Sequence, residues 1–416
     1  MEKLNKNQKG FVATLIVFFI LLIMISITLS MSSLIFHRQR IVNNVVKSTQ
    51  AYYTSESGIE DSLLRLNNNP LMPSASYNLN INNSTANVVI PAMIGGARSI
   101  SSQGNNSGLV KTTEVVYAID GEGASFFYGA QVGAGGLIMS NSSRIIGSIF
   151  SNGNIVGSGI ATIDNDVIVA GNGHSISGMR VKGNALVYSC LGETKIDGNL
   201  TYVTGGTNNC NVIGTTSVQP DEIASQPLPI SQSQIDNWKI DAEAGGTTGS
   251  INLSGTQTMS LGPKKIVGNL TLSNSAVLTL TGTVYVTGNI TLSNSAKIQL
   301  DSSYGSLSGV ILSDGTITPS NNSVLQGSGQ PGSYILVLST NTSDTAITVG
   351  NSAIGAIFYA SAGGVTVSNN FSAREVTGYK LIMSNNATIT YESGLANVFF
   401  SSGPGGGWKV ISWKEQ

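Results

Sequence analysis

The sequence of 416 residues contains few charged residues and almost no histidine. Asp, Glu, Lys and Arg make up 10% of the chain, whereas they make up about a quarter of an average protein. The net charge is −1, so no positive surface is available to neutralise a phosphate backbone, and we expect no nucleic-acid partner. The two histidines, His37 and His174, are too few for a histidine-based metal or acid–base site. We therefore expect no metal, no cofactor and no enzymatic activity.

The low charge does not indicate disorder. Hydrophobic residues make up 41% of the chain, which is an ordinary share, whereas a disordered chain is poor in apolar residues and rich in charge. Glycine is abundant, with 49 residues, and Ser, Thr and Asn take the place of charged residues. The composition therefore predicts a folded protein with a polar but non-ionic surface.

The N-terminal region has a long run without charge. No residue from Phe11 to Phe36 is charged, and as a helix this run spans about 39 Å, more than the ~30 Å hydrocarbon core of a membrane. Apolar residues continue at helical spacing up to Pro70, so we predict one helix over residues 11–70, first transmembrane and then amphipathic. From the run alone, a signal anchor with a helical stalk is an equal alternative.

The residues before this run have the form of a leader. MEKLNKNQKG carries three lysines, ends in Gly10 and is followed at once by Phe11. Residues 1–10 resemble the leader of type IV prepilins, and the N-terminal region as a whole resembles that of PilX-type minor pilins. The resemblance implies cleavage after Gly10 by a prepilin peptidase and methylation of Phe11. It also implies a single-pass protein of the inner (cytoplasmic) membrane, with its C-terminal region outside the cytoplasm or in a surface pilus, where it would contact other pilins and the pilus assembly machinery.

One position departs from the pilin pattern. Major pilins carry a Glu five residues into the mature chain, and this sequence has Leu15 there. Without that carboxylate, pairing with the N-terminal amine of a neighbouring subunit is lost. Some minor pilins at the pilus tip also lack it, so Leu15 favours a minor, priming or accessory role.

Residues 71–123 alternate apolar and polar side chains in four segments separated by turn residues. Four strands after one long helix resemble a pilin head, and we predict a small β-sheet here. Gly121 and Gly123 are expected to lie in a linker to the rest of the chain.

The remainder contains an internal repeat. GNLTLSNSA at 268–276 returns as GNITLSNSA at 288–296, and a degenerate apolar–any–apolar–Ser–Asn core recurs elsewhere. Repeats too short to bury their own apolar face predict a stacked β-solenoid of the parallel β-helix type, with Asn stacked at a corner where it tolerates positive φ. The repeat asparagines are Asn141, Asn274, Asn294, Asn321, Asn351, Asn369 and Asn385. The threonines at one shared repeat position, expected to form an outward row, are Thr271, Thr291, Thr318, Thr348 and Thr366.

The solenoid is expected in two sections, residues 124–214 and 251–407. A Pro-rich insert at 215–250 separates them and is predicted to hold a short helix over Gln232–Ala244, with Ser231 as N-cap and Trp238 packed inward. Residues 408–416 contain Trp408 and Trp413, which we expect either to cap the last coil or to form an exposed aromatic patch for a partner. The solenoid sequence resembles the exported β-solenoid region of PilX-like proteins from candidate-phylum bacteria, a resemblance that implies no catalytic residues.

Three groups of residues have the chemistry for a bond or a site. Cys190 and Cys210 predict a disulfide if the region is exported, worth about 3 kcal/mol in the chain-entropy model, since no third Cys or nearby His supports a metal site. Asp301 and Asp314 could form a glycosidase-like acidic pair, but capping of turns is the favoured interpretation. Asp164 and Asp166 with His174 are a further polar group, for which a surface loop is favoured.

The sequence therefore predicts a mainly β protein with a long N-terminal α-helix, a small pilin-like β-sheet head and a parallel β-solenoid. The predicted function is that of a minor-pilin-like subunit that presents the solenoid outside the cell for surface contact or adhesion, with glycans or cell-surface molecules as ligands. The alternatives are a membrane-anchored structural stalk and, less favoured, a polysaccharide-acting β-helix enzyme.

Overall fold

The computed structural model describes residues 7–68, 72–91, 97–119, 122–354, 357–400 and 408–415. Helix α1 covers Asn7–Asn68 as one continuous helix of 62 residues. The predicted cleavage point between Gly10 and Phe11 lies near its start, while leader residues 1–6 and the predicted stop Pro70 are outside the described residues. The helix is long and apolar enough to cross a membrane.

The head is an antiparallel sheet packed against the C-terminal half of α1. Its five strands, in spatial order, are Ala75–Ile81, Ser84–Ile90, Ala97–Asn106, Leu109–Ile119 and Trp408–Glu415. The shared core contains Ile59 and Leu66 from the helix and Val88, Ile100 and Val115 from the sheet, all fully buried. Helix and sheet pack together as the sequence predicts, and the sheet gains a fifth strand from Trp408–Glu415.

Two glycines set the close approach of the helix to the sheet. A Cβ on Gly104 would lie 2.0 Å from the carbonyl oxygen of Ala51, and one on Gly58 would lie 2.2 Å from Oγ of Ser102. Any larger residue at either position would therefore push the sheet away from α1.

The solenoid has three parallel faces. Face A contains Ile149–Ser151, face B contains Ile155–Gly157 and face C contains Arg144–Ile146, and each pairs in parallel with the same face of the adjacent coils. The strands of the first section are Ala130–Met139, Arg144–Ile146, Ile149–Ser151, Ile155–Gly157, Thr162–Ile163, Val167–Val169, Ser175–Ser177, Arg180–Val181, Ala185–Val187, Ser189–Leu191, Lys195–Ile196, Leu200–Val203, Asn211–Val212 and Thr216–Gln219.

The second section continues the same three faces. Its strands are Thr247–Leu253, Thr258–Leu261, Lys264–Leu272, Val277–Leu280, Val284–Val286, Ile290–Leu292, Lys297–Leu300, Gly309–Ser313, Ile317–Pro319, Val324–Gln326, Ile335–Ser339, Ile347–Val349, Ile357–Val367, Ser372–Ala373, Glu375–Met383 and Thr388–Thr390. Short 3₁₀ helices cover Ser302–Tyr304 and Ser393–Asn397. Outside the coils, Glu122–Ala124 pairs antiparallel with Val398–Phe400.

The chain enters this solenoid in its middle. Ala130–Met139 begins the first section, which adds coils in one direction up to Thr216–Gln219. The second section begins at the opposite end with Thr247–Leu253 and adds coils back toward the middle. Its strand Glu375–Met383 pairs in parallel with Ala130–Met139. We call this pairing the seam.

A return segment, residues 220–246, connects the two ends along face A. It contains helix α2, Gln232–Ala244, which has a capping box at Ser231 and buries Ile235, Trp238 and Ala242. Face A has thirteen strands in the part of the chain that the structure describes, so its ends are about 58 Å apart at ~4.8 Å per step. The helix and the extended residues of the return segment reach about 66 Å, which is sufficient to span that distance.

Contacts along the return segment follow the coils in order. The backbone N–H of Gly171 donates to the carbonyl of Ile223 at 2.9 Å, and Nε2 of Gln131 donates to the carbonyl of Pro227 at 2.7 Å. Farther along, Lys265 forms an ion pair with Glu243 at 2.6 Å. Face A is therefore covered, and no described residues cover faces B and C in the same way.

The structure confirms the mainly β fold with its long helix and parallel solenoid, and it corrects one detail. Of the two alternatives for residues 408–416, a cap on the last coil or an exposed aromatic patch, the cap is wrong, because Trp408–Glu415 is the fifth strand of the head and pairs with Leu109–Ile119. The last coil needs no cap, because Thr388–Thr390 pairs with Arg144–Ile146 at the seam. The two sections meet through the first coil of one and the last coil of the other.

Candidate functional site

The N-terminal half of α1 is an apolar surface with no partner among the described residues. Every side chain from Val12 to Val46 is exposed, and Phe18, Met24 and Leu29 each expose more than 60% of their surface. A monomeric soluble protein rarely exposes an apolar surface of this extent. Leu15 lies on this surface with 43% exposed. This half of the helix therefore requires a membrane or other apolar helices around it.

The C-terminal half of α1 is instead held by polar contacts as well as by the core. Oγ of Ser55 lies 2.7 Å from Oγ1 of Thr113, and both residues are buried. The hydroxyl of Tyr77 donates to Asp61 at 2.6 Å. Burial raises the pKa of Asp61, but hydrogen bonds from Arg65 and Tyr77 outweigh it and leave that pKa below its usual value. The change from exposed to docked helix falls near residue 47.

The repeat asparagines form a continuous ladder at the corner between faces B and C. All of them have positive φ, between 51° and 56°. Apart from Asn274, which only accepts, each amide donates to the side-chain oxygen of the asparagine in the adjacent coil, at 2.5–3.3 Å, from Asn294 on Asn274 through to Asn141 on Asn385. The seam does not interrupt this ladder, since Asn141 belongs to the first section and Asn385 to the second.

The repeat threonines lie in a row on face B. Thr271 pairs with Thr291, which pairs with Thr318, and Thr348 pairs with Thr366, so neighbouring side chains are about 4.8 Å apart. Each lies between buried apolar residues of its strand and is itself partly or fully exposed. Across the seam, the outward positions of this row become apolar, with Ile382 next to Ile138.

A second set of asparagines was not identified from the sequence. The side-chain oxygen of Asn269 accepts from the backbone N–H of Asn289 at 2.8 Å, and that of Asn289 accepts from Thr316 at 2.9 Å. Asn184 and Asn199 form equivalent bonds in the first section. The recurring Gly–Asn dipeptide before a strand is the signal that would have revealed them.

Cys190 and Cys210 form a disulfide with a Cα–Cα distance of 5.7 Å. Cys190 is fully buried at the end of face B in the first section. The bond joins two adjacent coils near the end of the solenoid, where fewer coils stack against one another.

The proposed acidic pair is not assembled. Asp301 caps the 3₁₀ helix Ser302–Tyr304 by accepting from the backbone N–H of Ser303 at 2.9 Å. Asp314 accepts from Lys239 of α2 at 2.6 Å and from the hydroxyls of Tyr285 and Thr340. Burial raises the pKa of Asp314, but these hydrogen bonds outweigh it and keep that pKa below its usual value. Asp314 therefore holds the return segment on the solenoid.

The second polar group is also separated. Asp164 lies on face C in an ion pair with Arg144 and, at 3.0 Å, with Lys182. Asp166 accepts from the backbone N–H of Asn184 at 2.7 Å. His174 bonds through Nδ1 to the carbonyl of Ala170 at 2.6 Å. Among the described residues, no group of His, Cys, Asp and Glu is placed to hold a metal ion.

One buried carboxyl was not anticipated. Glu375 begins the seam strand and is fully buried, and Oγ1 of Thr377 donates to it at 2.5 Å. Its other oxygen has no hydrogen-bond partner, and burial raises the pKa of Glu375 well above its usual value. No sequence pattern separates this residue from the exposed acids.

The two terminal tryptophans belong to the head. The backbone of Trp408 is paired with Ile119, and Trp413 is paired with Val115 and exposes 43% of its surface. Trp413 therefore remains a candidate for an aromatic contact, on the sheet rather than on the solenoid.

These features define a class of protein: a β-solenoid carried on a small helix-and-sheet head with a long, exposed apolar helix. No protein-family model and no curated protein matches the sequence. Among solved structures, the chain is weakly similar to the competence-associated pilin ComZ from Thermus thermophilus, at 12% identity over 89% of this chain and 97% of that chain, with a TM-score of 0.22. It is also weakly similar to an ice-binding protein from the Antarctic ascomycete Antarctomyces psychrotrophicus, at 13% identity over 64% of this chain and 95% of that chain, with a TM-score of 0.18.

Proposed function

We propose that the protein is a minor-pilin-like subunit that inserts through helix α1 and presents the β-solenoid outside the cell for contact with other surfaces. The observation that carries the proposal is the division of α1, whose apolar N-terminal half is exposed from Val12 to Val46 while its C-terminal half is docked on the head. A helix of this kind is suited to a membrane before assembly and to a bundle of pilin helices after it.

The open faces of the solenoid support the contact role. In the second section, faces B and C present threonine and asparagine side chains at a regular spacing, with few charges. Such a surface offers many hydrogen-bonding groups and little electrostatic selectivity, which suits sugars and other polar polymers. A membrane-anchored stalk is the alternative, and it needs no processing of the N-terminus.

The N-terminus of the mature protein separates the two. The full chain is isolated from its native membrane and its N-terminal peptide is read by mass spectrometry. We expect a chain that begins at a methylated Phe11, and an uncleaved chain in a Gly10→Val variant expressed in parallel. An intact Met1 in the unaltered protein would exclude the pilin assignment and leave the anchored stalk.

A further inference from the structure

The corner between faces B and C changes character beyond the seam. In the coils that follow Asn141, this corner holds the glycines Gly159, Gly178 and Gly192, with φ between 63° and 69°, in place of the ladder asparagines. The backbone therefore keeps the same left-handed turn without a side chain. Since no asparagine side chains lie in this corner, it is open in these coils, whereas the ladder asparagines fill it in the other coils.

A groove of about 640 Å³ occupies this corner. Its walls include Ile160, Met179, Arg180, Glu193 and Lys195. Ile160 exposes 73% of its surface, whereas Met179 is buried and forms part of the floor. The Cys190–Cys210 disulfide begins two residues before Gly192 and holds this coil to the next one.

Charge is concentrated around the groove. Residues 144–197 contain eight charged residues, whereas the much longer stretch 245–378 also contains only eight. Arg180 and Lys195 are paired in register on adjacent coils of face C, about 4.8 Å apart along the solenoid. That spacing is close to the length of one sugar unit, so successive units of a chain lying along the axis would meet successive cations.

Both cations have donors available for a ligand. Nε and one terminal nitrogen of Arg180 contact Oδ2 of Asp197, at 2.8 and 2.6 Å, which orients the guanidinium and leaves its outer edge toward solvent. Nζ of Lys195 is 3.8 Å from Oδ1 of Asp197, beyond hydrogen-bond distance. Guanidinium and ammonium groups bind carboxylates through short, charge-assisted hydrogen bonds.

We infer that this groove binds a polysaccharide that carries carboxylate groups, with Arg180 and Lys195 on its acidic groups and Ile160 against the apolar face of a sugar ring. The inference rests on the proposed surface-contact role and gives it a ligand class. Glu193 on the same rim opposes an anionic ligand, so its charge has an effect opposite in sign to that of Lys195.

The test measures binding of a galacturonate hexasaccharide to the full chain in detergent, by calorimetry, with a neutral galactan hexasaccharide as the comparison ligand. We expect binding of the acidic sugar only, weakened by added salt. Lys195→Gln should weaken it about tenfold and Glu193→Gln should strengthen it. Lys297→Gln is the matched control, because Lys297 begins the corresponding face C strand in a coil whose corner is filled by asparagine.

A second variant tests the groove itself. No atom lies within 4 Å of a Cβ placed on Gly192, and asparagine tolerates its φ of 63°, so Gly192→Asn places a side chain in this corner without a clash. We expect an unchanged melting temperature and a loss of sugar binding. Unchanged binding in this variant and in Lys195→Gln, equal binding of the neutral sugar, or no binding of either sugar would overturn the inference. None of these outcomes bears on the N-terminus, so the pilin-like assignment is tested separately.

Discussion

The asparagine ladder makes a prediction that reverses a general rule about glycine and alanine. At most positions glycine is the more destabilising substitution, because it gives the unfolded chain more freedom. Asn321 has a φ of 51° and forms side-chain bonds to Asn294 and Asn351 at 3.3 and 3.0 Å. Here we expect Asn321→Ala to be more destabilising than Asn321→Gly.

The magnitude follows from two contributions. Both variants lose the same two exposed hydrogen bonds, worth about 0.5–1.5 kcal/mol each. Alanine adds the steric cost of left-handed backbone, about 1–2 kcal/mol, while glycine adds only the unfolded-state term of about 0.4–1 kcal/mol. The free energy of unfolding should therefore be lower for the alanine variant by roughly 1 kcal/mol.

Asn289 provides the matched control. It is also an exposed asparagine of the repeats and accepts a hydrogen bond from the backbone of the adjacent coil, but it is not among the residues with positive φ. At this position glycine should be the worse substitution. The four variants are compared by urea unfolding of the full chain, with hydrogen exchange of the peptide around each site, because long repeat arrays need not unfold in one step.

The reasoning would be refuted if the glycine and alanine variants had the same order of stability at Asn321 as at Asn289. If Asn321→Gly were as destabilising as Asn321→Ala, the left-handed backbone would carry no cost. The ladder would then be a row of hydrogen bonds without a conformational requirement. If hydrogen-exchange protection were lost only in the coil that contains the substitution, the loss of stability would still be assigned to the corner at Asn321.

Three further predictions concern the interior of the solenoid. Trp238→Ala should lower the free energy of unfolding by about 3–5 kcal/mol, because the side chain is 1% exposed, whereas Ile240→Ala on the exposed side of α2 should change it by less than about 0.5 kcal/mol in the same urea titration. Reduction of the Cys190–Cys210 disulfide should lower the stability of the first section by about 3 kcal/mol, measured as faster hydrogen exchange in that section. The reductant should have no such effect on a variant in which both cysteines are replaced by serine. Burial raises the pKa of Glu375, so above pH about 4.3 the folded state keeps a proton that the unfolded state has lost. The melting temperature should therefore fall as the pH rises above that value. The Glu375→Gln variant should not show this fall and should melt at a higher temperature at neutral pH.

Local patterns in the sequence were sufficient to predict the secondary-structure elements and the ladder of positive-φ asparagines. The repeat GNLTLSNSA shows both the strand period and the corner, and Ser231 with Trp238 shows the start and the buried side of α2. Each of these features is decided by residues a few positions apart. The same repeat also contained the Gly–Asn signal for the second set of asparagines.

Long-range pairing could not be predicted in the same way. Every strand of a parallel solenoid has similar alternation, so nothing in Glu375–Met383 shows that its neighbour is Ala130–Met139. Trp408–Glu415 alternates like a strand, but its partner lies about three hundred residues earlier, in the head. The groove depends on the absence of side chains at three glycines, and glycine is too common in this chain for that absence to stand out.

The seam determines how a pulling force would travel through the molecule. Because the chain both enters and leaves the solenoid in its middle, the head is tied to it by two covalent connections, at residues 119–130 and 390–408. Tension between a held head and a bound solenoid is shared by these two connections, and the end coils, at Thr216–Gln219 and Thr247–Leu253, have no direct connection to the head. The seam strands have a parallel neighbour on each side, so neither can be peeled away as a terminal coil can. Under tension the solenoid would resist as one block rather than unwinding coil by coil.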